Sequence, residues 1–167
     1  MREMENWVSS VIAANGGSVV GRIRLQKIFY LLDQLGINSG FEYEYHHYGP
    51  FSDELASAVE DAKAFGLVKE TYGRRAADGA KYSIFSSSKI SDEVFSDLNI
   101  SRSKSALGVM SKYSATVLEL AATIHWLKFA EGLEQDWQEE LVRRKGPKTD
   151  GGRTELASTL LQELHLA

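Results

Sequence analysis

The spacing of apolar residues at the start of the chain predicts a helix. Trp7, Val11 and Ala14 recur at the spacing of one helix face. A pair of glycines follows Asn15 and suits the left-handed end of a helix. We therefore expect a first helix that ends near Ala14, after which Ser18 leads into the next helix.

Two further helices are predicted over residues 21–35 and 52–65. One face of the second helix is apolar and carries Leu25, Ile28, Phe29, Leu32 and Leu35. The third helix repeats the pattern with Leu55, Val59, Ala62 and Phe65. The segment Ser52-Asp53-Glu54 is typical of a helix start, and Gly66 is typical of a helix end.

Short strands are predicted between and after these helices. Alternating aromatic residues at 41–45 predict a strand, and Tyr48-Gly49-Pro50-Phe51 predicts a rigid turn behind it. Residues 67–72 and 80–85 predict two more strands on either side of a glycine-containing turn. Because this hairpin follows a helix, its position is typical of a wing.

The second half of the chain is predicted to be helical. Over residues 102–131 the apolar residues follow spacings of three and four: Met110, Tyr113, Val117, Leu120, Ile124 and Leu127. This pattern predicts one long helix with an apolar seam over 110–127. The seam favours a place in the chain's own core, and a homodimer through it is the alternative. Two shorter helices are expected at about 136–145 and 153–166.

These elements predict an α+β fold that is predominantly α-helical. Residues 1–88 form a winged-helix-like N-terminal unit with a small β-sheet and hairpin. Residues 89–167, with the long helix and the C-terminal helices, are expected to pack on that unit. The polar segment 86–91 is the candidate linker, and we expect one globular domain overall.

Composition narrows the class of protein. A chain of 167 residues that is 43 % hydrophobic has enough apolar material for one well-packed domain. With 19 basic and 23 acidic residues, the net charge of −4 gives no overall attraction to phosphate. Cysteine is absent and no 18-residue apolar run occurs, so we expect a cytoplasmic protein.

The sequence shows no constellation typical of catalysis. Gly16 and Gly21 imitate a phosphate-binding loop, but Ile23 replaces the hydroxyl that would hold magnesium. The neighbours His46 and His47 would point to opposite faces of an extended segment, which disfavours a shared metal ion. We therefore expect no enzyme activity, no cofactor and no metal.

A winged-helix protein can bind nucleic acid, and the hairpin supplies candidate contacts at Arg74, Arg75 and Lys81. The helix before the hairpin would be the recognition helix. Its segment 52–66 carries four acidic residues and one basic residue, so its charge repels phosphate. Nucleic acid is therefore the disfavoured partner.

Two motifs carry a resemblance to a known family. The segments Arg24-Leu25-Gln26-Lys27-Ile28-Phe29-Tyr30 and Tyr48-Gly49-Pro50-Phe51-Ser52-Asp53-Glu54-Leu55, closed by Gly66-Leu67-Val68, resemble the Panacea domain family. That family includes SocA-like antitoxins and YwgA-type proteins of undefined role. The resemblance is most specific over residues 21–70, and residues 118–127 resemble the YwgA-type branch.

The resemblance implies a largely helical protein with a small sheet and no cofactor, which works by binding another protein. Members of the family are antitoxins that neutralise unrelated toxins, or adaptors that deliver a toxin to a protease. The partner expected from the resemblance is therefore a toxin or a protease substrate.

The motifs also give the candidate partner-binding residues: Gln26, Lys27, Tyr30, Tyr48, Pro50 and Phe51. Gln26 and Lys27 are the better contact candidates, because their polar ends need not be buried. An alternative interpretation makes Tyr30, Tyr48 and Phe51 an aromatic cluster that joins helix to strand.

A third hypothesis is an enzyme of unknown activity. Its active site would be a pocket lined by polar aromatic side chains and a histidine, namely Tyr43, Tyr45, His47 and Tyr48. The motivation for this hypothesis is the clustering of these residues in one short segment.

Overall fold

A computed structural model describes residues 4–88, 90 and 97–167 of the protein. In chain order its elements are α1 (Met4–Ala14), β1 (Ser18–Val20), α2 (Arg22–Gln34), β2 (Glu44–His46), β3 (Gly49–Phe51), α3 (Asp53–Ala64), β4 (Lys69–Arg74), β5 (Lys81–Ser86), α4 (Asp97–Met110), α5 (Ala115–His125), α6 (Trp137–Lys145) and α7 (Arg153–Glu163). A π-helical turn (Trp126–Ala130) extends α5, and a 3₁₀ turn (Gly146–Thr149) follows α6. The fold is α+β and predominantly helical, as the sequence predicted.

The first three helices begin and end close to the predicted residues. The Ser52 side chain accepts a hydrogen bond from the backbone N–H of Leu55 at 3.1 Å and so caps α3. Asp53 and Glu54 follow in the first turn, where negative charge complements the helix dipole. The capping sequence therefore acts as predicted.

The sequence missed strand β1. Ser18 was expected to lead into the second helix, but Ser18–Val20 pairs antiparallel with β5. The sheet order is β1-β5-β4, and Val19 lies opposite Phe85 on the buried face. With β1 between α1 and α2, and the β4–β5 hairpin after α3, the N-terminal unit is winged-helix-like.

The predicted turn at 48–51 is misplaced. Gly49–Phe51 is a strand that pairs with Glu44–His46, and the turn between them is His47-Tyr48. Only the last part of the aromatic segment is therefore a strand. Pro50 is tolerated there because a two-stranded ribbon needs few backbone donors.

The single long helix predicted over 102–131 is wrong. Helix α4 ends at Met110, and α5 begins after Ser114, whose side chain accepts a hydrogen bond from the backbone N–H of Val117 at 3.2 Å. The apolar seam continues across this break, and five of its side chains are buried within the chain: Met110, Val117, Leu120, Ile124 and Leu127.

Helix α5 is the centre of the second half. It packs on α2 and α7 and against strand β3, so it joins the C-terminal helices to the N-terminal unit. Arg24 on α2 donates a hydrogen bond to the carbonyl oxygen of Tyr113 at 2.5 Å, just before α5 begins.

The expected linker at 86–91 lies partly outside the described residues. Within the described ranges, none of the helices has both the length and the apolar run needed to cross a bilayer.

Candidate partner-binding site

The short β2–β3 hairpin lies against helix α5 and brings the two sequence motifs together. Gly49 has a φ of +90°, which favours glycine, and a side chain there would come within 2.6 Å of Thr123 Oγ1. The hairpin backbone is therefore in direct contact with α5. The turn His47-Tyr48 projects from this contact and both its residues are exposed.

Lys27 anchors strand β3, the second strand of the hairpin, to helix α2. Its side chain is 0 % exposed, and its Nζ donates a hydrogen bond to the carbonyl oxygen of Pro50 at 2.5 Å. Burial lowers the pKa of Lys27 to about 8, although the nearby Glu119 carboxylate opposes that shift. The expectation that the polar end of Lys27 stays at the surface is wrong, because Pro50 and Glu119 give it interior partners.

Gln26 joins α2 to the start of α3. Its side-chain nitrogen donates to the carbonyl oxygen of Ser52 at 3.0 Å, and its oxygen accepts from the Ser52 N–H at 2.9 Å. Gln26 is 5 % exposed, so its expected place at the surface is also wrong. The amide satisfies both backbone groups of one residue, which orients the segment that leaves the hairpin.

A buried ion cluster next to Lys27 also supports the hairpin. Lys145 Nζ lies 2.9 Å from Glu119 Oε2, and these two side chains are 2 % and 4 % exposed. Lys145 also donates to the carbonyl oxygen of His47 at 3.2 Å, and Lys148 lies 3.1 Å from the same carboxylate oxygen. Burial lowers the pKa of Lys145, and Glu119 opposes the shift.

The ion cluster places three lysines, Lys27, Lys145 and Lys148, around the carboxylate of Glu119. Sequence reasoning missed this cluster. Glu119 is 26 residues from Lys145 and 29 from Lys148, so no local motif connects them. Arg144 and Lys145 belong to the basic last turn of α6, where cations complement the helix dipole. Lys145 also reaches the hairpin, and the guanidinium of Arg144 lies 4.6 Å above the ring of Tyr45.

Tyr30 belongs to a buried aromatic cluster, but its ring neighbours are Tyr43 and His125, whereas the predicted cluster joined it to Tyr48 and Phe51, which pack on His47 and His46. Its hydroxyl and His125 Nδ1 lie 2.9 Å apart and share a hydrogen bond, and its ring meets that of Tyr43 edge-on at 5.2 Å. Burial raises the pKa of Tyr30. Burial and the charge of Lys128 lower the pKa of His125 to about 4, so this histidine is neutral at pH 7.

The four residues of the hypothetical enzyme pocket point towards different neighbours. The Tyr43 hydroxyl donates to Asp33 Oδ2 at 2.7 Å, and burial together with that carboxylate raises the pKa of Tyr43. The ring of Tyr45 lies against Arg144. The other two, His47 and Tyr48, pack on each other in the turn, with ring centroids 5.0 Å apart.

The surface of the site is small and aromatic. Tyr48 is 42 % exposed, and Lys148, whose side chain is 40 % exposed, places its Nζ 4.9 Å from the Tyr48 ring centroid. Phe51 is half-buried and stacks on His46 with centroids 4.9 Å apart. Of the six predicted contact residues, Tyr48 and Phe51 are therefore the two that a partner can reach, since Gln26, Lys27, Tyr30 and Pro50 are buried.

The predicted nucleic-acid contacts lie together at the end of the β4–β5 hairpin. Arg74 and Lys81 are opposite each other in the register, and both are exposed. Arg75 is 2.7 Å from Asp78 and is therefore partly neutralised. The described part of the chain holds no cluster of three or more histidine, aspartate and glutamate side chains that could bind a metal ion.

The fold and this site define an α+β, mostly helical protein whose N-terminal unit is winged-helix-like and whose motif residues anchor a hairpin. No family model matches the chain. It is similar to the uncharacterised protein YwgA of Bacillus subtilis (strain 168), with 27 % identity over 134 residues, which is 78 % of this chain and 77 % of that relative. This relative is uncharacterised, so a functional argument depends on the site.

Proposed function

We propose that the protein is a non-enzymatic interaction module that binds a protein partner at the aromatic turn of the β2–β3 hairpin. The observation that carries the proposal is the contrast between the two sides of this hairpin. On its inner side, Lys27 and Gln26 hold backbone carbonyl groups through buried hydrogen bonds, and Lys145 holds a third through a partly buried one. On its outer side, the exposed ring of Tyr48 lies beside the ammonium group of Lys148.

A turn held in this way is suited to binding. Ordering a loop on association costs free energy, and a turn that is already fixed avoids that cost. Tyrosine is enriched where interfaces are strongest, because its ring buries a large area and its hydroxyl keeps a polar partner. Lys148 adds a charge beside the ring, which favours a partner with a carboxylate at that point.

The resemblance to the Panacea domain supports a particular form of this role. Its two motifs are those that build the hairpin and its anchors. An antitoxin must bind the toxin that it neutralises, and an adaptor must bind the substrate that it carries to a protease. Both roles need such a surface, and neither needs a catalytic group. Similarity to YwgA is compatible with this role and assigns none of its own.

The test is affinity capture of the tagged protein from its native cells, with nuclease treatment, followed by mass spectrometry. We expect a stoichiometric protein partner that survives nuclease. Tyr48→Ala should lower its recovery at least about tenfold, the size of effect expected for an interface hot spot. Tyr72→Ala, which removes an exposed tyrosine ring from the other hairpin, is the matched control and should keep the partner. A partner that tolerates Tyr48→Ala, or no partner at all, would contradict the proposal.

Nucleic-acid binding is the second candidate, and the paired cations Arg74 and Lys81 at the end of the β4–β5 hairpin favour it. The exposed carboxylates of α3 oppose it, since they occupy the position of a recognition helix. Charge reversal of Arg74, Arg75 and Lys81 together decides the question. We expect an unchanged, weak affinity for duplex DNA, and a steep loss of affinity would instead support this candidate.

A further inference from the structure

An apolar crevice opens beside strand β3 of the hairpin. It has a volume of about 80 Å³ and lies between α2, β3, α3 and β5. Its apolar lining consists of Leu25, Phe51, Leu55, Ala56, Val59 and Phe85. Phe51 and Ala56 are half-buried at its mouth, so the crevice is reachable from solvent.

The size of the crevice limits what can occupy it. Drug-sized ligands and cofactors occupy sites of about 300–1,000 Å³, which is several times larger. A volume of about 80 Å³ accommodates roughly five to eight water-sized groups, by the space that one bound water needs. One leucine, isoleucine or methionine side chain, with four heavy atoms, fits within that space, and the apolar lining suits its burial.

The charge around the crevice is negative. Asp53 and Glu60 lie three residues before and four residues after Ala56, so they flank it on one helix face. Both are exposed. A segment that inserts a side chain beside Ala56 would therefore place its own neighbouring residues next to these carboxylates.

The cation at the rim does not cancel this charge. Arg22 lies 2.9 Å from Glu70 and 3.6 Å from Glu60, so carboxylates already neutralise it. Lys63 is bound to the same two carboxylates, at 2.6 Å and 3.1 Å. Helix α3 with Arg22 and Glu70 carries five carboxylates and two cations, a net charge of −3.

We infer that the crevice anchors one aliphatic side chain from a basic segment of the protein partner. The inference rests on the proposed function, and it adds the chemistry of the partner. A lysine or arginine beside the anchor would meet Asp53, since Glu60 already pairs with Arg22 and Lys63, while the anchor itself is buried against Leu55 and Phe85.

Selection of random 12-residue peptides on the whole protein tests this chemistry without knowledge of the natural partner. We expect enriched peptides to carry one leucine, isoleucine or methionine flanked by two or more lysines or arginines. Their affinity, measured by fluorescence anisotropy, should fall with added salt because the attraction is partly electrostatic. Enrichment of acidic or uncharged peptides, or no enrichment, would overturn the inference.

Two pairs of variants locate the binding. Ala56→Arg fills the mouth of the crevice and should weaken these peptides at least tenfold, whereas Ser57→Arg puts the same charge on the next, exposed residue and should have a small effect. Asp53→Asn should weaken binding about twofold to fivefold, and Asp61→Asn, further round the helix, should not. Equal effects within a pair would overturn the inference, and the aspartate pair decides it if Ala56→Arg does not fold.

The same Ala56→Arg protein separates this inference from the proposed function. A cellular partner that is lost on Tyr48→Ala but kept by Ala56→Arg leaves the proposed function intact and removes the crevice from the interface. Absence of any cellular partner counts against the proposed function, while the peptide selection still reports on the crevice. Self-association of the protein that depends on Ala56 would show a second copy as the occupant and would overturn the inference.

Discussion

The Nζ atom of Lys27 lies 2.5 Å from the carbonyl oxygen of Pro50, and both residues are buried. An ammonium group in this position is shielded from solvent, and the charge of Glu119 only partly offsets that loss of solvation. Burial therefore favours the neutral amine, and the pKa of Lys27 falls from 10.5 to about 8.

The first prediction follows from that shift. Between about pH 8 and 10.5 the unfolded chain keeps a proton at Lys27 that the folded chain has lost. Stability of the wild type should therefore rise with pH relative to Lys27→Met, by at most about 1.4 kcal/mol per pH unit. Urea unfolding of both proteins from pH 7 to 10 measures the difference. Parallel curves for the two proteins would show that Lys27 has an ordinary pKa.

His125 should make the protein sensitive to acid. Its pKa is 6.5 in the unfolded chain and about 4 in the fold, so unfolding takes up a proton between these values. Stability is fully present above pH 6.5 and should fall by about 2–3 kcal/mol as the pH drops to 4. In His125→Asn, which keeps a hydrogen-bonding group for Tyr30, that fall should be absent. Thermal melts over pH 4–7 compare the two, and an equal acid loss in both would contradict the assignment.

Replacement of Gly49 should lower the free energy of unfolding for two separate reasons. Gly49→Ala strains a backbone at φ +90° and also brings a methyl group against Thr123 Oγ1. Gly40→Ala is the matched control, since Gly40 has φ +92° and no atom within 4 Å of the added carbon. We expect a loss of about 1–3 kcal/mol for the control and about 1–3 kcal/mol more for Gly49→Ala. Urea unfolding measures both, and Thr123→Ala in the Gly49→Ala background should recover part of the difference.

Loss of Glu119 should be severe. Glu119→Gln leaves Lys145 buried with no opposite charge, which costs about 3–5 kcal/mol in similar sites. The double variant Glu119→Leu, Lys145→Met removes the carboxylate together with one of its lysines and should be less damaging than the single one, although Lys27 still loses its opposing charge. The exposed Glu139→Gln is the control and should unfold like the wild type. A Glu119→Gln protein of normal stability would show that the ion cluster contributes little.

Local patterns in the sequence predicted the helices of the N-terminal unit well. The apolar face of α2 and the Ser52 cap of α3 depend on residues within one or two turns, so periodicity and capping rules suffice. The same reasoning found the β4–β5 hairpin, with a shift of one or two residues.

Elements that depend on distant partners were not predictable in the same way. Strand β1 has three residues, too few for an alternating pattern, and exists because β5 offers a free edge. The break between α4 and α5 was missed because the apolar spacing continues through it, while the Ser114 cap is a weaker local signal.

The site was the least predictable part. The structure brings the two motifs together at the β2–β3 hairpin, which the sequence did not predict, and a lysine in a sequence gives no sign of burial. Whether Lys27 and Lys145 can be buried depends on Glu119, which reaches them only in the folded chain. The exposed part of the site is therefore smaller than the six residues that the motifs suggested.

The hydrogen bond from Lys145 to the carbonyl oxygen of His47 spans 98 residues, which has a consequence for synthesis. At a synthesis rate of about 5–20 residues per second, on the order of 5–20 s pass between the synthesis of His47 and that of Lys145. During that interval the His47-Tyr48 turn lacks the hydrogen bond from Lys145. Recognition of a partner should thus begin after residue 145 has left the ribosome, and nascent chains stalled before it should capture none of the partner that the full protein binds.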